Sequence, residues 1–324
     1  METILVQIAS YRDWELVNTI ESALSQASHP GRLRFAIVNQ DEVSNFASLE
    51  RYMSDPRFKI ELQEWREARG VGLARHRTDL MYEGEDFYFQ IDAHMRFTAG
   101  WDDVLIREWR AIGDAMAILS AYPPAYKYRE DGTEEYVASN PNRLVVHDMF
   151  MGFIPVFFGS AVPSEAIGQR GSFVAGGMQF GPGEVCRVVP YEERICFIGE
   201  EVVHSLRLFD AGYSVYTPIS QVVYHLYIRS QNQAESHHFW NDFAEDGELS
   251  KVYKEMNDLS YETVRRYLEG RGQVDDVGIR AFENFAGVDF KRGRVHSDTY
   301  RMAELPMARS SDWRKVSIAP KKQN

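Results

Sequence analysis

Residues 4–38 read ILVQIASYRDWELVNTIESALSQASHPGRLRFAIV, and the fold is decided there. Ile4 to Ala9 is a short apolar run, rich in β-branched residues, with no alternation. It reads as a buried strand that ends at Ser10-Tyr11-Arg12-Asp13. From Trp14 to Ala27, the apolar residues Leu16, Ile20, Ala23, Leu24 and Ala27 recur at helical spacing, and His29-Pro30-Gly31 stops that helix. Leu33 to Val38 is a second buried strand. A β-α-β opening predicts an α/β protein with a mostly parallel sheet and crossover helices.

Working outward, Phe58 to Leu62 is a third strand. Gly70-Val71-Gly72 opens a turn before a helix over Leu73 to Tyr82. Asp86 to Ile91 (DFYFQI) is a fourth strand that runs into Asp92-Ala93-His94. A helix over Gly100 to Ile112 and a strand over Ala115 to Ser120 follow. Pro123 to Pro141 is polar and proline-flanked and reads as a mobile loop. Gly171 to Glu184 reads as strand plus loop, Glu200 to Ala211 as a helix, and Tyr213 to Tyr216 and Val222 to Tyr227 as strands. After about Ser230 the pattern turns charged and helical. The expected organisation is a catalytic unit over residues 1–230, a helical C-terminal subregion over 231–305 on the acceptor side, and a loose basic tail over 306–324. In open α/β sheets, ligands gather beyond the carboxyl ends of the strands. Ser10 to Asp13 and Asp92 to His94 therefore face one cleft.

Asp92 and His94 supply a hard oxygen ligand and a borderline nitrogen ligand on one side of the chain, a mixture that suits Mn2+ and, less exclusively, Mg2+ or Zn2+. Such a cation neutralises a diphosphate leaving group. The plainer reading is a turn-capping Asp beside a surface His. Arg69, Gly70, Gly72 and Arg75 suggest an anion-binding turn at a helix start, against a flexible turn with solvated arginines. Asp13 is either a ligand-side residue or a helix cap. Glu200 and Glu201 suit a helix's first turn, but two adjacent carboxylates point different ways, and one is free for the sugar or the acceptor. Gly176-Gly177 with Phe180 is a pocket wall or a bulge. Trp101 and Trp240 are stacking platforms or core residues.

The composition is that of a globular protein: 44% hydrophobic, 26% charged and 13% aromatic. The net charge of −12 disfavours a polyanionic partner at long range. Cys186 and Cys196 follow no zinc-like spacing and suit free thiols in a reducing compartment. The N-terminus has no signal-peptide pattern, and no apolar run is long enough to span a membrane. The expected setting is cytoplasmic.

The segment YFQIDAHMRF (88–97), followed by Gly100-Trp101-Asp102, resembles the metal-site segment of the GlcNAc-transferase family. That family includes cytoplasmic enzymes acting on hydroxyproline and shares Asp-x-His with the polypeptide N-acetylgalactosaminyltransferases. Four more segments resemble family motifs in matching order: Val6 to Asp13, Arg69 to His76, Phe197 to Glu201 running on to Tyr213, and Val223 to Tyr227. The chain departs from the family at Ala93, where serine is frequent, and at Val71-Gly72-Leu73, which leaves the donor sugar open.

The resemblance implies a GT-A fold, a UDP-sugar donor, a divalent cation (Mn2+ or Mg2+) and retention of anomeric configuration. It implies metal ligation by Asp92, His94 and His225. Donor contacts are expected from Ser10, Tyr11, Arg12, Asp13, Arg69, Gly70, Arg75, Gln90, Gly176 and Gly177, and catalytic roles for Asp92, Glu200 and Glu201. The expected activity is transfer from a UDP-sugar to a hydroxyl on a protein or glycan. The alternatives are a hydroxylated base in DNA as acceptor, or a nucleotide-sugar-binding module or hydrolase.

Overall fold

The computed structural model describes residues 1–137, 139–161, 167–227 and 237–296, and the backbone of 313–315. The chain begins as its apolar runs dictate, with β1 (Ile4–Tyr11), α1 (Leu16–Gln26), β2 (Leu33–Asp41), α2 (Glu50–Met53), β3 (Phe58–Glu64), α3 (Val71–Asp79) and β4 (Phe87–Asp92). Then come β5 (Met95–Phe97), α4 (Trp101–Ile112), β6 (Ala117–Ser120), β7 (Tyr126–Tyr128), β8 (Glu134–Tyr136), β9 (Asn142–Phe150) and β10 (Ile154–Ala161). Next are β11 (Gln169–Arg170), β12 (Met178–Pro182), α5 (Val185–Val188), α6 (Glu200–Asp210), β13 (Ser214–Thr217) and β14 (Val223–His225). The C-terminal part holds α7 (Phe239–Glu245), α8 (Leu249–Leu268), α9 (Asp276–Ala286), β15 (Val288–Asp289), β16 (Arg294–His296) and β17 (Trp313–Lys315).

Eight strands form the central sheet in the order β11-β13-β6-β12-β4-β1-β2-β3. β1, β2, β3 and β4 are parallel, and β12 runs antiparallel between β4 and β6. The carboxyl ends of β1, β4 and β6 therefore lie on one side, where the site is built. Ile4, Val6, Ile8, Phe35, Phe89 and Phe180 are fully buried in the core between the sheet and helices α1 and α4. Trp101 is also fully buried there, so its reading as core is the one that holds.

Two stretches differ from the sequence reading. The segment read as a loop over Pro123 to Pro141 contains the β7–β8 hairpin, paired Tyr126↔Tyr136 and Tyr128↔Glu134. The long β9–β10 hairpin was not anticipated. It forms a second core with α6, α8 and α9, joining Leu144, Ile154, Phe173, Val203, Val264 and Phe282. The C-terminal helices are present as expected, but β15 and β16 follow them, and β16 pairs with β17 inside the stretch read as a loose tail. The rest of that tail, and the junction expected near residue 230, lie outside the described residues. Cys186 and Cys196 are free and buried. Among the described residues, no helix is long and apolar enough to cross a membrane.

Candidate functional site

β4 delivers Asp92 at its carboxyl end, the chain turns at Ala93, and His94 precedes β5. Thr19 of α1 fixes that turn: its hydroxyl donates to the Ala93 carbonyl (2.7 Å) and accepts the Met95 N–H (2.9 Å). β14 pairs antiparallel with β5 so that His225 stands opposite Met95. Three residues distant in sequence thus converge. His94 Nε2 lies 2.9 Å from His225 Nε2, and His225 Nε2 lies 3.2 Å from Asp92 Oδ2. One ligand atom from each falls within 4.8 Å of the others.

The residues fit a divalent cation. His94 Nδ1 meets Asp13 Oδ2 at 2.8 Å. A carboxylate there holds the proton on Nδ1 and leaves the Nε2 lone pair facing His225, the usual arrangement of a carboxylate behind a metal-bound imidazole. Separations near 3 Å match the edge of a coordination shell with bonds of about 2.1 Å. Burial works against the charge of Asp92, but the hydrogen bond and charge of His225, with Arg75 and His94, hold its carboxyl well below the usual range. The group offers a cation an anionic oxygen and two imidazole nitrogens.

These ligands open into a cavity of about 620 Å³ whose walls include Ser10, Tyr11, Asp13, Gly70, Arg75, Gly176, Gly177, Glu200 and Glu201. Arg75 is the one Arg or Lys among the described lining residues, and it is already paired, with Glu200 (2.8 Å) and Asp92 (3.2 Å). Burial disfavours its charge, yet Glu200, Tyr191 and Asp92 keep it firmly protonated. Glu200 itself is pushed up by burial, against the pull of Arg75. Glu201 accepts from the Tyr122 hydroxyl (3.0 Å) and the Gly176 N–H (2.7 Å). Burial and the neighbouring Glu200 push it up to about 8. Gly176 and Gly177 are required by space: a Cβ on Gly176 would sit 2.5 Å from Arg75 Nη1, and one on Gly177 2.3 Å from Asp92 Oδ2. Ser10 Oγ, buried in the wall, has no protein partner among the described residues.

The structure does not gather all the expected residues. Arg12 turns away from the cavity, with its guanidinium over Trp65 (4.5 Å) and bonded to Asp242 (2.8 Å). It adopts a positive φ of 45°. Arg69 is exposed and donates to the carbonyls of Arg66 and Ala68. Gln90 is buried inside, donating to the Gly176 carbonyl and the Tyr191 hydroxyl; it supports the wall from behind. The expected anion-binding turn is also replaced. The N–H groups of Val71 and Gly72 donate to the carbonyls of Cys196 (2.9 Å) and Ile195 (3.2 Å). Gly70 and Gly72 are glycines because a Cβ would strike that same segment, at 2.4 Å from Cys196 Cα and 2.2 Å from Ile195 O. Asp13 is neither the helix cap nor free: Oδ1 accepts the Glu15 N–H (3.0 Å) while Oδ2 orients His94.

Tyr122, not singled out in the sequence, stands two residues beyond β6, so the rule that pointed to Asp92 would have found it. Phe197, Trp240, Pro155, Val156 and Phe157 make one wall apolar. Trp240 packs on Phe197 (4.6 Å) and stacks with His238 (4.8 Å).

A large, mostly parallel sheet flanked by helices, with its ligand-side cleft past β1 and β4, is the GT-A fold. The chain belongs to the GlcNAc glycosyltransferase family: the family model described as Glycosyltransferase (GlcNAc) matches residues 3–62 and 47–304. Among solved structures, GalNAc-T7 with UDP, GalNAc and Mn2+ is similar over 87% of this chain at 15% identity, with a TM-score of 0.57. The match spans 54%, about half, of the GalNAc-T7 chain. TarS (residues 1–349) of S. aureus with UDP-GlcNAc matches 87% of this chain and 72% of its own at 11% identity, with a TM-score of 0.48. No curated protein matches the sequence.

Proposed function

We propose that the protein is a metal-dependent, retaining glycosyltransferase that moves a sugar from a UDP-sugar to a hydroxyl of a protein or glycan. One observation carries the reading: Asp92, His94 and His225 converge in a cavity whose one Arg among the described lining residues is neutralised by carboxylates. A diphosphate entering it finds no free Arg or Lys among the described lining residues, so its charge has to be met by a cation. These three side chains would hold Mn2+ or Mg2+, and the chemistry a bound cation would supply is charge stabilisation of the UDP leaving group. The family membership and the UDP and Mn2+ bound to GalNAc-T7 support the choice of donor and metal.

The chain's own residues complete the site. Asp13 keeps His94 in the tautomer that presents Nε2. Gly176 and Gly177 leave the sugar room against Arg75 and Asp92. Glu201, protonated at neutral pH, can donate to a sugar or acceptor oxygen. Glu200 is locked to Arg75 and makes a poor nucleophile. That favours attack by the acceptor hydroxyl on the face the diphosphate leaves, with a phosphate oxygen taking the proton, over a covalent glycosyl-enzyme. The apolar side chains of Phe157, Phe197 and Trp240, with no unpaired Arg or Lys among the described lining residues, suit a neutral acceptor better than DNA.

The test is UDP release from a panel of UDP-sugars, UDP-N-acetylhexosamines first, with and without Mn2+. Asp92→Asn should lower turnover at least about 100-fold, in line with the several kcal/mol a catalytic cation contributes. Transfer that persists in chelator with Asp92 replaced rejects the metal role. A product of inverted anomeric configuration by NMR rejects retention.

A further inference from the structure

The two imidazole ligands hang from separate segments, and one buried guanidinium joins those segments. Arg96, on β5 two residues past His94, is 6% exposed. Its Nη2 donates to Glu15 Oε2 (2.5 Å) and Tyr128 Oη (2.7 Å), its Nε donates to Glu134 Oε1 (2.6 Å), and its fork lies over the Tyr126 ring (4.8 Å). Glu15, fully buried, also accepts the Tyr128 hydroxyl. Its own N–H is held by Asp13, the carboxylate behind His94. On the other side, the β7–β8 hairpin anchored by Glu134, Tyr126 and Tyr128 carries the clamp on His225. The His225 N–H donates to the Pro124 carbonyl (2.9 Å), Ala125 bridges to His225, and Tyr136 packs on Tyr224 (4.8 Å).

We infer that Arg96 is a positioning residue for the metal centre: it ties the Asp13–Glu15 turn behind His94 to the hairpin that clamps His225, and so sets the spacing of the two imidazoles. The inference rests on the proposed metal site. Five N–H donors in a rigid plane can reach Glu15, Tyr128 and Glu134 at once, which a lysine ammonium cannot match in direction. An apolar core would fill the same space without this expense of buried charge. A buried charge cluster is weak as a source of stability and better suited to fixing one arrangement. Arg96 touches neither a ligand atom nor the cavity, so its effect is on geometry, not on chemistry.

The experiment titrates metal-free full-length protein with Mn2+ alone and follows the EPR signal of free Mn2+, with thermal melts on every variant. Wild type binds and Asp92→Asn does not; a wild type that fails to bind overturns the metal site itself and this inference with it. If Arg96→Lys binds Mn2+ about 10- to 100-fold more weakly while still melting cooperatively, as removal of outer-shell support does at metal sites, the inference holds. Arg32→Lys, which disturbs the pairing of buried Arg32 with buried Asp102 and half-exposed Asp103, should lower the melting temperature without changing Mn2+ affinity. Wild-type affinity in a folded Arg96→Lys protein overturns the inference. Should that variant fail to fold, Glu134→Ala removes the carboxylate contact between Arg96 and the hairpin while leaving the Tyr128 contact in place. Several-fold weaker Mn2+ binding supports the coupling, and unchanged binding rejects it.

Discussion

At Gly177, the smallest possible side chain would place a carbon 2.3 Å from Asp92 Oδ2. Gly177→Ala should therefore push the carboxylate out of the position proposed for it as a metal ligand beside His94 and His225. We expect Mn2+ affinity to fall by about tenfold or more, the cost of a displaced ligand, with little change in melting temperature. Glu201 gives a pH signature. Its folded value, about 8, lies above the ordinary 4.5, so the native state binds the extra proton. The stability it contributes is complete below about 4.5 and is lost as pH rises through about 8, at no more than about 1.4 kcal/mol per pH unit. Asp92 acts in the opposite sense, and only under acid conditions, since its carboxyl is held below the usual range. Melting temperatures from pH 5 to 8 should decline in the wild type and decline less in Glu201→Gln, most clearly above pH 6, because Asp79, raised by burial to about 6, still contributes below that; equal slopes in the two would remove the assignment. Asp92 and His94 were legible from sequence because a strand end announces them. The roles of Asp13 and Gly72 were not. A Gly-x-Gly before a helix looks the same whether its amides meet a phosphate or the carbonyls of Ile195 and Cys196, and only the tertiary contact decides.

Helices and strands show a similar division. β1, β2 and β4 were readable because strands buried on both faces are written as unbroken apolar runs. The β7–β8 hairpin was hidden because it is short, charged and held by Arg96 and stacked tyrosines, with no periodicity of its own. The β9–β10 hairpin owes its place to the second core, whose partners run from Phe173 through α6 to α8 and α9 and leave no local signal in the hairpin's own sequence. At the centre of that core, Phe282 of α9 is fully buried against Phe173, Phe209 and Phe290. Phe282→Ala should cost about 3–5 kcal/mol in denaturant unfolding. A loss below about 1 kcal/mol would mean that α9 is not integral to the domain.

For the molecule as a whole, the second core crosses the junction that composition alone would place near residue 230. Leu144, Ile154 and Val203 share it with Val264, Phe282 and Val295. A chain cut after Tyr227 would expose one side of that cluster, and we expect it to be insoluble or to lack a cooperative melt. A soluble, cooperatively melting 1–227 fragment would show two independent folding units. The tether between α3 and the segment before α6 has a further consequence. Helix first-turn amides usually face solvent and trade hydrogen for deuterium quickly. Those of Val71 and Gly72 are spent on the carbonyls of Cys196 and Ile195, in the segment before α6. They should be among the slow exchangers even in ligand-free protein, because these two stretches of chain, about 120 residues apart, are stitched together before any ligand arrives.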